Sequence, residues 1–228
     1  MTRRTSARLA GIAFIVYIAV GISGSVLYAR GISGATMADK LASVSGHLVE
    51  IRISLLLTIL SAICALILAV TLYGITRDED HEVAMFGLVC RAGEGILGIF
   101  TVTTLGMLWL GTATGADAPD ATIAPALGTL LAKIGAWKAT TCAFLFALGS
   151  TAFAWLLLRG QMIPRWLALL GVFASIDLVI MLPLQLAGLV RGMIAYAVMW
   201  LPMLVFELVL AVLLIWKGVR EPATASTR

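Results

Sequence analysis

Four ionisable residues stand inside stretches that are otherwise apolar: Arg91 and Glu94 in one, Asp177 in a second and Glu207 in a third. An ionised side chain at the centre of a bilayer costs about 2.5–3.5 kcal/mol on insertion scales, so such residues face a bundle interior and pair. The R-x-x-E spacing puts Arg91 and Glu94 on one helix face, three positions apart and within reach of each other. A guanidinium carries several N–H donors, which leaves Arg91 some to offer Asp177 or Glu207. One cation against three carboxylates is a net negative charge that a low-dielectric interior resists. Either at least one of Glu94, Asp177 and Glu207 is therefore expected to hold a proton near neutral pH, or a bound cation, water or cationic ligand compensates. The chemistry open to this cluster is pairing that fixes helix register, a pocket for a small polar ligand or lipid headgroup, or a proton or ion path.

Enzyme chemistry finds little support. There is no H-E-x-x-H and no G-x-S-x-G, and the two histidines, His47 and His81, fall near the ends of apolar stretches where water reaches them. Paired haem ligands are therefore missing, and Arg91 opposes a hard cation at the carboxylates electrostatically. No cofactor or metal is expected. Cys64, Cys90 and Cys142 lie in apolar segments without CxxC spacing and read as small hydrophobes. Asp78, Glu79 and Asp80 lack the glycine and terminal glutamate of a calcium loop and read as a solvated turn.

The elements that must position these residues follow from composition. Of 228 residues, 61% are hydrophobic and only 12% charged, with a mean hydropathy of +1.05. A soluble domain is excluded by those proportions, and no room remains for a soluble catalytic domain beside the membrane segments. Net charge is +4, the sign expected from basic loops of a membrane protein, and no nucleic-acid partner is read from it. The fold class expected is all-α: six transmembrane helices near Leu9–Tyr28, Ile51–Tyr73, Val83–Leu110, Trp137–Leu158, Trp166–Leu186 and Met193–Trp216. The first, behind Arg3, Arg4 and Arg8, is too long for a signal peptide and is read as an uncleaved span. Residues 1–218 are expected to form one domain and 219–228 a short disordered tail.

With the N-terminus inside, Lys and Arg number nine on the cytoplasmic side (Arg3, Arg4, Arg8, Arg77, Arg159, Arg165, Lys217, Arg220, Arg228) against six outside (Arg30, Lys40, Arg52, Lys133, Lys138, Arg191). Both termini are therefore expected in the cytoplasm. Two outer connections carry amphipathic stripes: Met37, Leu41, Val44 and Leu48, then Ile123, Leu127, Leu130 and Ile134. These segments either form a lid over an outward cavity or lie at the headgroups and extend the adjoining spans. Pro183 and Pro202 fall inside the last two spans, where they shape the bundle or serve a gate.

Rise arithmetic puts Arg91, Glu94, Asp177 and Glu207 at similar depths, about 12–16 Å from the cytoplasmic ends of their spans. Tyr17, Ser150 and Thr151 fall at about 10–12 Å, with Ser61 and Cys64 close to the same level. A buried polar core is expected there, with Arg91 as its cationic centre. Gly87, Gly95 and Gly98 share the stripe of Arg91 and Glu94 and mark a packing face.

The segments A-R-L-A-G-I-A-F, C-R-A-G-E-G-I-L, L-L-L-R-G-Q-M-I-P-R-W-L-A and L-P-M-L-V-F-E-L-V-L-A-V-L-L-I-W-K-G-V resemble the bacterial DUF4386 membrane proteins across essentially the whole chain. The resemblance implies a multi-pass plasma-membrane protein of uncharacterised activity. It also implies that Arg91, Glu94, Pro164, Arg165, Trp166, Glu207, Trp216 and Lys217 occupy motif positions, and that Asp177 does not. The working expectation is a ligand-binding or structural membrane component. The alternative is a small proton-linked transporter, and an intramembrane enzyme comes third. The bilayer is the partner the composition requires; protein partners are not specified.

Overall fold

A computed structural model describes residues 2–115, 118–120, 122–190 and 192–220. The described residues are 84% helical with no strand. Lipid offers backbone amides and carbonyls no hydrogen bonds, so apolar segments of this length satisfy their polar groups internally as helices. The elements are α1 (Arg3–Gly31), α2 (Met37–Gly46), α3 (Leu48–Thr76), α4 (His81–Ile99), α5 (Val102–Thr112), α6 (Ala124–Arg159), α7 (Arg165–Leu186) and α8 (Met193–Trp216). Six helical spans are long and apolar enough to cross a membrane, α4 and α5 together counting as one. Large apolar side chains are exposed on all of them, including Leu56, Val70, Val89, Phe173 and Leu201, as a lipid-facing surface requires. The expected tail beyond Arg220 and Arg191 in the α7–α8 connection lie outside the described residues.

The spans close into a ring. α1 packs on α3, α3 on α4, α4 on α6, α6 on α7, α7 on α8, and α8 returns to α1. Small residues set the close approaches, since helix association in lipid relies on packing rather than on hydrophobic drive. A Cβ at Gly11 would stand 2.7 Å from the Ala211 carbonyl oxygen, so α1 and α8 touch there backbone to backbone. Most of the apolar core lies between the ring members, around Leu68, Leu157, Leu167, Leu178 and Leu210.

One element differs from the sequence expectation, and a second decides between its alternatives. The span expected over Val83–Leu110 is interrupted: α4 stops at Ile99, Phe100 leaves helical geometry with ψ 89°, and Thr101 precedes α5. The break is confined to Phe100 and Thr101, since Val102, Thr103 and Thr104 are already helical in α5. The second amphipathic stripe extends the adjoining span, one of the two readings the sequence leaves open. Ile123 caps α6, which runs 36 residues, about 54 Å, and so carries Leu127, Leu130 and Ile134 beyond the bilayer thickness. α2 is a separate helix, started by a capping box in which Thr36 and Asp39 exchange side-chain and backbone bonds. It packs on α5 and α6, with Leu41, Met107 and Leu110 forming a small second core.

The acidic turn after α3 is not merely solvated. Arg3 Nη2 lies 2.8 Å from Asp78 Oδ2, and Arg159 reaches Glu79 Oε1 at 3.2 Å and Asp80 Oδ2 at 3.0 Å. The Glu79 side chain is 2% exposed. These pairs tie the start of α1, the α3–α4 turn and the end of α6 together on the face where α1 begins and α8 ends. The Arg220 amide donates to the Met162 carbonyl on the same face.

Asp80 is also the N-cap of α4, and the Val83 amide that it accepts holds its carboxyl below the usual carboxylate range, with Arg159 adding to the effect. A lowered carboxylate stabilises the fold above its ordinary pKa, about 3.9, and loses that contribution as pH falls through the lowered value. The thermal midpoint in detergent is accordingly expected to fall as pH drops from about 5 to about 3. Asp80→Ala should lower the midpoint at pH 6 and flatten that dependence; an unchanged pH profile would contradict the assignment.

Candidate functional site

Arg91 is 1% exposed and enters the ring from the middle of α4, about 15 Å along the helix from His81. Its stem passes over glycine: a Cβ at Gly149 on α6 would lie 2.6 Å from Arg91 Cγ and 3.1 Å from the Gly87 carbonyl oxygen. The glycine stripe of α4 therefore divides its work. Gly87 packs on Phe153 of α6, whereas Gly95 and Gly98 meet Ala62 and Leu66 of α3.

Around the guanidinium the structure gathers side chains from three other helices. Nη1 is 2.9 Å from Glu94 Oε2, and Tyr17 of α1 donates its hydroxyl to Glu94 Oε1 at 2.7 Å. The Arg91 Cζ lies 4.6 Å from the Phe146 ring centroid and 5.5 Å from that of Tyr17, inside cation–π range. Glu207 of α8 is buried in the same interior, and Trp200 packs against Phe146 with ring centroids 6.0 Å apart. The polar groups do not exhaust one another. Arg91 Nε, Nη1 and Nη2, Glu94 Oε2, Glu207 Oε1 and Trp200 Nε1 are all buried without an aligned hydrogen-bond partner. The Arg91–Glu94 contact is thus an ion pair by distance, with its N–H bonds directed elsewhere.

Asp177 does not join them. It sits partly exposed on α7, with no hydrogen bond or ion pair among the described residues, so the cluster is one cation with two carboxylates. Thr151 donates its hydroxyl to the Ala147 carbonyl within α6 instead of entering the centre. Among the described residues no three His, Cys, Asp or Glu side chains converge as a metal-ligand set would.

A cavity of about 620 Å³ leads to this cluster from the face opposite the one where α1 begins and α8 ends. Its walls come from α1 through α6, and its inner end is Tyr17, Ala65, Glu94 and Cys142. Val20, Ala62, Ala139 and Met107 give it apolar sides; Ser54, Thr58, Ser61, Thr103 and Tyr28 add hydroxyls. α1 and α6 flank it without touching each other among the described residues. Its mouth lies beside α2 at Ile32, Met37 and Lys40.

Sequence reasoning passed over the two lysines of this cavity. Lys40 and Lys138 count there only as outer-side charges that set orientation; Lys138, second residue of the expected Trp137–Leu158 span, stands in α6 and its Nζ donates to the Phe100 carbonyl at 2.6 Å, where α4 breaks off. Its position directly after Trp137, at the start of an apolar stretch, was the available signal.

Gly149→Ala should force the Arg91 stem aside and cost about 1–3 kcal/mol, the usual range for overpacking. A melting curve indistinguishable from wild type would mean that the stem does not need this gap.

The sequence of 228 residues has no significant match among curated proteins or solved structures. One family model, described as "Domain of unknown function (DUF4386)", matches residues 9–218. With that match spanning nearly all six apolar spans and both halves of the Arg91–Glu207 cluster, the chain belongs to the DUF4386 family.

Proposed function

We propose that this protein is a ligand-binding component of the bacterial plasma membrane, with both termini cytoplasmic, that holds a small molecule in the cavity ending at Tyr17 and Glu94. The bias of Lys and Arg toward the face carrying the termini supports the orientation. The observation that carries the reading is that a cavity of ligand size, about 620 Å³, ends at Glu94, one half of a buried ion pair whose donors and acceptors are incompletely used. A purely structural pair would be expected to satisfy its own hydrogen bonds, because an unmet buried polar group is costly. Native mass spectrometry of protein released from lipid nanodiscs should reveal a discrete adduct on wild type that a folded Arg91→Gln variant lacks. An adduct-free wild type, with Arg91→Gln losing only thermal stability, would make the cluster structural.

Glu207 favours a second reading, a small proton-linked transporter. Its carboxyl is 5% exposed, has an unpartnered oxygen, and stands on α8 five positions beyond Pro202. It does not line the cavity and is buried beyond Glu94 in the interior that holds Arg91, so the two carboxylates could hold a proton in succession. In proteoliposomes this reading expects Glu207→Gln to keep the fold and abolish pH-driven flux of the co-purifying ligand. Flux that persists unchanged in that variant would eliminate it.

A further inference from the structure

The charges lining the cavity are Lys40, Lys138 and Glu94. Glu94 is already engaged, by the Tyr17 hydroxyl at one oxygen and by Arg91 2.9 Å from the other. The two ammonium groups have no acidic partner among the described residues: the Lys40 Nζ makes no hydrogen bond or ion pair, and Lys138 gives one of its three protons to the Phe100 carbonyl. The interior of the cavity is therefore electropositive. The carbonyl freed at the α4 break, the feature that would otherwise suit a bound cation, is occupied by the lysine itself.

The lysines are also staggered. Lys40 is at the mouth on α2, while Lys138 is one helical turn above Cys142, a residue of the inner end. A large share of the lining between them is apolar or small, including Met107, Ala136 and Gly98. A bare inorganic anion would leave most of about 620 Å³ unfilled.

We propose that the cavity takes an amphipathic organic anion, its acidic group drawn past Lys40 and held by Lys138 and its apolar body against the small-residue walls of α1 and α6. This rests on the ligand-binding reading above and names the chemistry of the same site. Such an anion has two sources, an anionic lipid of the bilayer or a free organic acid.

Cys142 provides a direct probe, because it lines the inner end whereas Cys64 and Cys90 are buried elsewhere. The full chain in phosphatidylcholine nanodiscs is treated with N-ethylmaleimide, and modification at each cysteine is followed by peptide mass. Decanoate should slow modification of Cys142, while decyltrimethylammonium and decanol at the same concentration should not. Lys138→Gln should raise the decanoate concentration needed for half-protection about tenfold, the loss of one charge-assisted hydrogen bond, and Lys138→Arg should restore it. Lys40→Gln, which disturbs no structural contact, should weaken protection in the same direction and guards against misfolding of the Lys138 variant. Replacing phosphatidylcholine with phosphatidylglycerol should protect Cys142 without added decanoate if the anion comes from the bilayer, and leave it reactive if it comes from water. Equal or better protection by decyltrimethylammonium overturns the choice of an anion but leaves ligand binding standing. Decanoate protection indifferent to both lysines overturns it as well. A Cys142 that never reacts, in protein whose native mass spectrum carries no adduct, overturns both readings, since the cavity would then be closed.

Discussion

Taking one guanidinium out of water governs the interior of this bundle. Arg91 is 1% exposed at a level where neither lipid nor neighbouring leucines can solvate it, so the surrounding helices have to answer its charge and leave a path for its stem. Gly149 and Gly87 supply the path, Glu94 the counter-charge, Phe146 and Tyr17 their ring faces, and Glu207 a second carboxylate. Those residues belong to α1, α4, α6 and α8, which are distant in sequence. A buried ion pair adds little net stability, yet an arrangement leaving its cation alone is penalised by about 3–5 kcal/mol. The cluster thereby discriminates among ways of packing six similar apolar helices, a task to which nonspecific apolar contacts contribute little.

The two ends of the ring are built on different principles. The face where α1 begins and α8 ends is tied by ion pairs across three elements, Arg3 to Asp78 and Arg159 to Glu79 and Asp80, over closely packed alanines and leucines. Toward the other face the helices diverge around the cavity, and a smaller cluster of Leu41, Met107 and Leu110 joins α2 and α5 to the extended start of α6. Fewer buried apolar contacts hold that half, so local opening is expected there rather than at the clamped end.

The broken third span connects these halves. Ending α4 at Ile99 frees the Phe100 carbonyl among exposed apolar residues, where lipid would offer it no hydrogen bond. Lys138 meets that carbonyl from α6, so one side chain repairs the break, positions α4 against α6 and leaves an ammonium facing the cavity.

Helix number, approximate boundaries and the identity of Arg91, Glu94, Glu207 and Tyr17 were readable from the chain, because lipid forces long apolar segments into helices and makes any charge within them conspicuous. Depth along a helix was readable too, since rise per residue is constant. Azimuth was not: Asp177 has the same nominal depth as Glu94, yet the rotation of α7 leaves it at the bundle's margin. The α4 break at Phe100 and Thr101 was not either, because hydropathy is insensitive to so short an interruption. Lys40 and Lys138 enter the sequence reading only as outer-side charges, and α2 and the long α6 bring them against one space. Composition and periodicity thus determined a six-span bundle with a charged interior. Which charges meet, and that a cavity reaches them, depended on how each helix turns about its own axis, and that rotation is decided only by contacts with its neighbours.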